Sequence, residues 1–599
     1  MAHNQLPLVS STWSWYKKFG FRVLFIFLLA MCIPFSGGWY TNAVTVDWFR
    51  PHYRDIYDIA RFQPSFSSLF SGRGRGQADI EALNNKNSSG KQEGKSTQAT
   101  ADGKNKENLG EANAAQSKKP TQGTAQLRTQ DKKEEVQGMP PKRGFLVDYI
   151  DWGIAFLIGL AGGVIWTLID RKSTNYHILY YWIRVVVRYR AGIGIIGFGF
   201  TKLFPTQMPF PSLGLLNSNF GDFTAQKIYW LSVGIVPWYQ VFGGIVEIAA
   251  GAMLFFRKTT TFGAILLVGA LGDITFVNYA YDGGVHVYAF YFVFLGLFLL
   301  ADDVPKLYNL LILERYTVPV RFYPDFNQPV LKYSRIVLKT LTFVIFFGVL
   351  TYTEIMNFNY DPYKQPATAG LKQLRGNYRV TEFKLNGQVI PFNPLDTVRW
   401  QEATFENWTT LTFKVNHPLL VDPSNGGGSP MKDIQRTFEI SGVAGGQRAF
   451  HYYADTVDKV LYLQDKNVMA ARRGQRPGTG DLPGISGTIE NQGKSGNVQN
   501  VQRQLQQEDS WISKSAWQHI GDENKMIDPR AWSTRRDREF AKKAPEIKRN
   551  RMVLRYTTVD GSKVILSGIN EKKDSIYVVL DRYARPYALK TSTLSAGKY

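Results

Sequence analysis

The sequence is poor in the residues from which soluble enzymes build redox and metal centres. Its 599 residues include one cysteine, Cys32, and seven histidines that lie far apart along the chain. One cysteine excludes an intrachain disulfide and a Cys-based metal site, and the spacing of the histidines predicts no metal site. No Ser/His/Asp or Cys/His set is readable. The glycine-rich SGRGRG at residues 71–76 does not join a strand to a helix, as a phosphate-binding loop would.

Acidic residues are also few relative to basic ones. Lys and Arg number 71 against 49 Asp and Glu, which gives a net charge of +22. Such a charge suggests nucleic acid as a partner. The basic residues, however, are spread over the loops beside apolar runs, over the linkers and over a β-rich tail. That distribution is typical of membrane-topology signals and of attraction to anionic lipid. We therefore predict a lipid bilayer, and no nucleic acid, as a partner.

What the chain has in abundance is long apolar runs. A membrane-spanning helix needs about 20 predominantly apolar residues to cross about 30 Å of hydrocarbon. Seven runs approach this length and predict an α-helical polytopic membrane bundle of about seven spans. The predicted spans are residues 23–39, 145–169, 176–204, 238–256, 260–281, 285–301 and 336–353.

The placement of Lys and Arg gives a consistent topology for seven spans. Short loops rich in Lys and Arg lie on the cytoplasmic side of a membrane. Basic clusters in residues 17–22, 171–190, 257–258 and 306–335 all fall on one side of a seven-span bundle. The connections 205–237 and 282–284 are nearly free of basic residues. We predict a cytoplasmic N-terminus and a C-terminal domain on the outer side.

The chain divides into segments of different composition. The predicted order is a transmembrane anchor (1–40), an amphipathic interfacial segment (41–70), a disordered polar linker (71–144), a second transmembrane helix (145–170), a four-helix transmembrane core (171–303), a cytoplasmic amphipathic connection (304–335), a last transmembrane helix (336–354) and a β-rich domain (355–599). The linker has too few apolar residues to offset its chain entropy. The first apolar run follows Lys17, Lys18 and Arg22, so it is either a retained anchor or a cleaved signal peptide. Trp39 and Tyr40 favour the anchor.

The C-terminal part has the pattern of a β domain. Alternating polar and apolar residues form short runs from about Tyr360 onward, with hairpin signals at Asn386–Gly387 and Asp560–Gly561. Eight or more such strands predict an all-β antiparallel barrel or sandwich. A Gln-, Gly- and Arg-rich insertion at 470–549 interrupts the pattern, and we expect much of it to be loosely ordered apart from a helix near Glu508–His519.

Polar residues inside the predicted bundle form the candidate functional site. Ionisable groups at membrane depth are costly and usually face a bundle interior, which suggests a function. Glu247 and Asp273 lie deep in their predicted spans and are the candidate catalytic residues. The candidate cofactor-binding residues lie nearer the span ends, and they are Lys202, Gln207, Asn278 and His286.

Each of these residues has a structural alternative. Glu247 fits a proton-accepting or quinone-contacting carboxylate, an ion-pair partner of Lys202, or a hydrogen-bonded group that fixes helix packing. The structural alternative for Lys202 is that its long side chain extends to the outer surface of the membrane. His286 is either a proton relay or a residue at the membrane interface that is hydrogen-bonded to the backbone. Asp273 and Asn278 are five residues apart, so they do not share a helix face cleanly.

The segments GFGFTKLFPTQMPFPS, QVFGGIVEIAAGAMLFFRKTTTFGA, VNYAYDGGVH and LFLLADD of Arg190–Asp303 resemble the DoxX-like family of bacterial integral membrane proteins. LRGNYRVTEFKLNGQVIP and YVVLDRYARPYAL extend the resemblance to larger members with a C-terminal β-rich segment. The resemblance implies a four-helix core and the bacterial inner membrane, with the C-terminal domain periplasmic. Some members are similar to the small membrane subunit of thiosulfate:quinone oxidoreductases. Larger relatives tend to have an amide near Asp273 and a Lys near His286, so the polar set is rearranged here.

Residues and resemblance together predict a membrane subunit of a quinone-linked redox or envelope complex. We expect quinone as the cofactor and another protein subunit as a partner. We expect no metal. The chain encodes no redox centre, so any oxidoreduction needs quinone or a partner to supply the chemistry. The alternative is a non-catalytic membrane scaffold whose outer β-domain and linker bind envelope proteins. Small-solute transport is less favoured because the sequence shows no inverted repeat or broken helix pair.

Overall fold

The computed structural model describes most of the chain outside two long segments. The described residues are 12–62, 64, 66, 148–317, 324, 326–427, 432–467, 528–541, 549–590, 592 and 594–599. The chain divides into two compact units, one formed by Met1–Ser65 with Gly138–Tyr599 and the other by Phe66–Gln137. The predicted linker 71–144 and the helix predicted near Glu508–His519 lie outside the described residues.

The first part of the larger unit is helical. In chain order the helices are α1 (Trp15–Cys32), α2 (Gly37–Val44), α3 (Tyr53–Ala60), α4 (Ile150–Ile169), α5 (His177–Leu203), α6 (Leu213–Leu216), α7 (Ala225–Gly234), α8 (Pro237–Leu254), α9 (Thr260–Ala280), α10 (His286–Leu300), α11 (Val304–Leu311) and α12 (Pro329–Tyr360). Helix α12 contains a π-helical stretch at Val344–Val349. Short 3₁₀ turns lie at Phe220–Asp222, Lys372–Leu374 and Asp433–Gln435.

Each predicted span lies on a helix, but the count of seven is not confirmed. Helices α4, α9 and α12 are long and apolar enough to cross a membrane by themselves. Three pairs meet the same test only together, and they bend at a short break: α1 with α2 by 54°, α7 with α8 by 91°, and α10 with α11 by 70°. The described residues therefore hold three to six candidate spans.

Small residues let α1 and α4 pack closely. A Cβ added to Gly163 would lie 2.5 Å from a methyl group of Val23, and one added to Gly159 would lie 3.0 Å from the Val23 carbonyl oxygen. The same face carries Gly162, which meets Ile26. Without a hydrophobic driving force in lipid, close backbone approach of this kind is a main source of helix association.

Helix α3 lies in the protein interior, whereas the sequence predicts an interfacial segment. Its apolar face includes Tyr53, Ile56 and Tyr57, each at most 2% exposed. These residues share a buried cluster with Ile196 of α5 and Leu350 of α12. The opposite, charged face is buried as well, because ionic partners from other segments cover it. An amphipathic pattern alone cannot distinguish such a helix from one on a membrane surface.

The predicted β domain is an eight-stranded antiparallel barrel. Its strands are β1 (Gly376–Leu385), β2 (Gln388–Val389), β3 (Glu402–Phe405), β4 (Thr410–Lys414), β5 (Gln447–Asp455), β6 (Val460–Asp465), β7 (Arg551–Thr557), β8 (Lys563–Ile569) and β9 (Ser575–Tyr583). Strands β3 to β9 follow one another around the sheet, and β1 joins β3 to β9. Strand β2 only extends one end of β1 as a short hairpin. Closure of the sheet removes its exposed edges.

Side chains fill the barrel interior. Inward-facing residues of all eight barrel strands, from Tyr378 to Leu580, belong to one hydrophobic cluster in which no buried member is more than 7% exposed. The rings of Trp400 and Phe413 stack in this cluster with centroids 3.8 Å apart. Eight strands leave an interior just wide enough for side chains. The barrel is therefore a packed core that presents its outer surface and its ends to the rest of the chain.

Part of the insertion, residues 528–541 and 549, belongs to the described chain, and most of the segment for which we expect loose order lies outside the described residues. A 3₁₀ turn at Pro529–Ala531 leads into helix α13 (Thr534–Ala541). Arg535 and Arg536 of this helix are 8% and 0% exposed. Their ion pairs with distant carboxylates hold the segment in place, and a compositional pattern contains no sign of such partners.

The barrel contacts the end of the bundle at which α5 finishes. In the connection after α5, Asn217 donates a hydrogen bond to Asn377 of β1 at 2.8 Å. Near the start of α5, Arg184 forms an ion pair of 3.4 Å with Asp302. The 27 residues of α5 span about 40 Å, so the barrel and the basic connections lie at opposite ends. This grouping agrees with the predicted topology, whose orientation in a membrane stays a prediction.

Candidate functional site

Glycine pairs bring helices α5 and α8 into close antiparallel contact. A Cβ added to Gly192 would lie 3.0 Å from the carbonyl oxygen of Gly251, and one added to Gly244 would lie 2.6 Å from that of Gly199. The two glycines of each helix are seven residues apart, so both contacts fall on one face of each helix. This close approach brings the polar side chains beside the interface within reach of each other.

Lys202 of α5 and Glu247 of α8 form an ion pair beside this interface. The Lys202 ammonium donates a hydrogen bond to Oε1 of Glu247. Glu247 is 1% exposed, and its Oε2 is buried without a hydrogen-bond partner among the described residues. A lone buried carboxylate is costly, and Lys202 offsets that cost by supplying the opposite charge. The pair leaves one carboxylate oxygen open to another donor.

Asp273 lies on the neighbouring helix α9 and is exposed. Tyr229 of α7 lies near enough to both residues for the charges of Asp273 and Glu247 to act on its hydroxyl. The Tyr229 ring also stacks on Tyr281, with centroids 5.3 Å apart. The structure thus brings the two candidate catalytic carboxylates into one region, with aromatic rings beside them.

Gln207 lies close to Lys202 in the chain and in space. Its backbone N–H donates to the carbonyl oxygen of Thr201 at 3.3 Å, so it stays within one turn of the end of α5. Gln240 holds the next part of the loop, since its amide accepts a hydrogen bond from the N–H of Met208 at 3.0 Å and donates to the carbonyl oxygen of Met208 at 3.1 Å. Gln207 itself is half-buried at the edge of the region.

Asn278 and His286 have partners elsewhere. The Asn278 amide donates to the carbonyl oxygen of Ile274 in its own helix at 2.7 Å. His286 lies 3.5 Å from the carboxylate of Asp148. Within the described parts of the chain, neither residue forms a hydrogen bond or an ion pair with the three charged residues above. The structure therefore separates these two candidates from the others.

A second polar cluster, absent from the sequence analysis, joins the barrel domain to the bundle. Asp361, directly after α12, is fully buried and accepts a hydrogen bond from Arg436 at 2.5 Å. Arg536 of α13 pairs with the same carboxylate, and His52 lies 3.7 Å from it. We use the name junction cluster for these four residues together with Arg54, Asp55, Asp58 and Arg535.

The other half of the junction cluster lies on α3. Arg535 of α13 reaches Asp55 at 3.3 Å and Asp58 at 2.5 Å. Arg54 pairs with Asp58 at 3.2 Å. Residues far apart in the chain thus supply the opposite charges, and all of them are buried. Removal of one member of such a buried network leaves an uncompensated charge, which is strongly destabilising.

His52 is the neutral member of the junction cluster. Burial, and next the charge of Arg536, hold the pKa of His52 well below its ordinary value. Its Nδ1 accepts a hydrogen bond from the N–H of Arg54 at 3.1 Å, and Asp55 accepts one from the N–H of His52 at 2.9 Å. This reciprocal pair is a capping box that begins α3.

Glu406 fastens the barrel to the connection that follows α5. It is 1% exposed, and its carboxylate accepts hydrogen bonds from the N–H of Leu213 at 2.9 Å and of Gly214 at 2.7 Å. Burial raises the pKa of Glu406 to about 7, against the effect of these hydrogen bonds. The residue follows β3, so it ties a barrel strand to helix α6.

Lys466 and Glu439 form a third buried pair, on the barrel side. Both side chains are fully buried and lie 2.8 Å apart. Glu439 also accepts hydrogen bonds from Trp408 at 2.6 Å and Thr410 at 3.2 Å. Because each charge is paired and hydrogen-bonded, this group fits a structural role.

The described residues include no group of three or more His, Cys, Asp or Glu side chains that could hold a metal ion. The candidate polar sites are the Lys202–Glu247 pair with its neighbours, the junction cluster and the two barrel sites. Comparisons with protein-family models, with curated proteins and with solved structures found no match for this chain.

Proposed function

We propose that this chain is a membrane subunit of a quinone-linked redox or envelope complex, related to the DoxX-like proteins, with a quinone head group bound beside Lys202 and Glu247. The observation that carries the proposal is Oε2 of Glu247, which is buried in the bundle and has no hydrogen-bond partner among the described residues. Buried polar atoms are nearly always hydrogen-bonded, so an exception calls for a ligand or a functional explanation.

The residues around this oxygen suit a polar head group. A quinone supplies carbonyl oxygens that take up electrons and protons, and an electron donor must come from a partner subunit. In this proposal the Lys202 ammonium donates to the head group, and Glu247 accepts or holds its proton. Tyr229 and the exposed Asp273 extend the polar surface on one side. The chain thus binds, orients and exchanges a proton, without a redox centre of its own.

Quinone content of the purified protein tests this site. The full chain, extracted in mild detergent, should carry quinone, and Glu247→Gln should reduce the quinone bound about 10- to 100-fold, the value of one hydrogen bond to a charged group. The double variant Glu247→Gln with Lys202→Met leaves no unpaired charge and should lose quinone equally. Asp302→Asn, at the other end of the bundle, should bind as the wild type does. Retention of quinone by the double variant would reject the proposal.

The second candidate function is a membrane scaffold whose barrel and linker bind envelope proteins. The junction cluster favours it, because buried ion pairs fix the barrel on the bundle in one orientation. The same preparation separates the two candidates. A scaffold keeps its co-purifying proteins in Glu247→Gln and carries no quinone in any variant, whereas a quinone-linked subunit loses quinone.

We also propose that the barrel lies on the periplasmic side of a bacterial inner membrane. The basic residues at the opposite end of the bundle support this orientation. Val559 is fully exposed and Tyr316 is 91% exposed, whereas the single native cysteine, Cys32, is buried. In cells with a permeable outer membrane, a membrane-impermeant thiol reagent should label Val559→Cys and leave Tyr316→Cys and the wild type unlabelled. The reverse pattern would place the barrel in the cytoplasm.

A further inference from the structure

Basic side chains gather at the end of the bundle away from the barrel. They belong to α5, to the turn between α8 and α9, and to the first turns of α12. The charge of Lys339 is opposed by those of Arg188, Arg335 and Arg257. The charge of Arg188 is opposed in turn by Arg257 and Arg184. Like charges that lie near one another are destabilising. An anion bound among these cations would therefore be stabilised.

The protein supplies little of that charge in the part of the chain that the structure describes. Asp302 pairs with Arg184 at 3.4 Å. No described carboxylate forms an ion pair with Arg188, Arg335 or Lys339. Arg188 is 7% exposed, and only its Nε has a hydrogen-bond acceptor among the described residues, the carbonyl oxygen of Leu254 at 2.9 Å. Its two terminal nitrogens remain available as donors to an anion.

Aromatic rings hold these cations in position. The guanidinium groups of Arg335 and Arg257 lie over the ring of Phe326, at 5.3 Å and 5.4 Å from its centroid. The Lys339 ammonium lies 3.6 Å from the centroid of Phe256, which is 44% exposed. Cations held over aromatic rings lose little freedom when they bind an anion. Apolar surface next to the charges also suits a ligand that is itself part apolar.

The length of α12 allows the cluster to reach the depth of lipid head groups. Helix α12 has 32 residues and is about 48 Å long, which exceeds the hydrocarbon thickness of about 30 Å. Arg335 and Lys339 lie in its first three turns and are four residues apart, so they share one face. The excess of about 18 Å is enough for these first turns of α12 to extend beyond the hydrocarbon to the level of the lipid phosphates.

We propose that Arg188, Arg335 and Lys339 bind the phosphate group of an anionic phospholipid between α5 and α12. The buried guanidinium of Arg188 donates from the protein side, and the two residues of α12 close the site from the other. The acyl chains lie along exposed apolar side chains such as Phe256 and Ile336. A soluble phosphate has the same charge but no part that uses this apolar surface. This site is independent of the quinone proposal.

Native mass spectrometry of the full chain in detergent, titrated with phosphatidylglycerol, measures the affinity of the site. Each Lys or Arg contributes roughly fivefold to binding of an anionic lipid surface. The double variant Arg335→Gln with Lys339→Gln should therefore bind about 25-fold more weakly. The control double variant Arg171→Gln with Arg315→Gln removes the same charge from exposed positions at that end of the bundle, and its affinity should change less than about threefold.

Three results would overturn the proposal. They are wild-type affinity in the Arg335→Gln/Lys339→Gln variant, an equal loss in the control variant, and equal binding of zwitterionic phosphatidylcholine. Binding of inorganic phosphate in competition with the lipid would assign the site to a soluble phosphate. If the first variant does not fold, the single variant Arg335→Gln at the exposed Arg335 decides, because the loss of one charge should weaken binding roughly fivefold and unchanged affinity would overturn the proposal.

Discussion

We predict that Glu406 makes the attachment of the barrel to the bundle sensitive to pH. Its carboxyl group is buried, and burial raises its pKa from the ordinary 4.5 to about 7. Between these values the folded chain holds a proton that the unfolded chain releases. Stability linked to Glu406 is therefore fully present below about pH 4.5 and is lost as pH rises through about 7. Glu406→Gln cannot ionise and should remove this loss.

The size of the effect follows from the shift of the pKa. A shift of one unit corresponds to about 1.36 kcal/mol. With a folded value of about 7, the wild type should lose about 2.5 kcal/mol relative to Glu406→Gln between about pH 5 and about pH 8. Buried histidines such as His451, whose pKa burial lowers to about 4, titrate in both proteins and cancel in this difference.

Hydrogen exchange of the full chain, followed by mass spectrometry, measures this difference. In peptides that contain Leu213 and Gly214, the ratio of wild-type to Glu406→Gln protection factors should fall about 70-fold from about pH 5 to about pH 8. Glu402→Gln, in β3, removes a half-buried carboxylate nearby and should keep the wild-type dependence on pH. A ratio that changes less than about twofold would refute the assignment of this linkage to Glu406.

The junction cluster and the α5–α8 interface give two further predictions. Asp361→Asn leaves buried Arg536 and Arg436 without their shared carboxylate, although Arg436 keeps Asp433 at 3.6 Å. Hydrogen exchange of α3 and α13 should therefore accelerate about 150-fold, for a loss of about 3 kcal/mol, while the control Asp581→Asn changes it less than about fivefold. Gly199→Leu places atoms where Gly199 has neighbours at 2.5 Å, and should cost about 1–3 kcal/mol in detergent unfolding. Gly269→Leu, at a position with open space, should cost less than about 0.5 kcal/mol.

The parts of the fold that the sequence predicts are those set by local pattern. Each apolar run lies on a helix, because hydropathy is a property of neighbouring residues. The barrel is predicted by the alternation of polar and apolar residues and by hairpin turns such as Asn386–Gly387. Both residues of this turn have positive φ angles, 50° and 79°. The number of spans depends on where helices break. The 91° bend before Pro237 has a local cause, since proline disfavours helix in the residue before it.

The candidate site can be predicted in part from the sequence, because a local pattern of residues contributes to its formation. Gly199 and Gly244 with their partners repeat at seven residues, and this spacing predicts the close contact that brings Lys202 to Glu247. The junction cluster has no such signal. Asp361 and its arginine partners are separated by 75 residues or more, and each alone resembles an ordinary surface charge. Only the tertiary structure pairs them, so neither their burial nor the order of α13 follows from composition.

Two separate attachments determine how the barrel can move. The junction cluster ties it to α3 and to the end of α12, and Glu406 ties it to the connection after α5. A body held at one point can pivot, but one held at two points on different helices cannot do so without breaking a buried polar contact. Lys202 is the last residue but one of α5, and the connection held by Glu406 begins just beyond it.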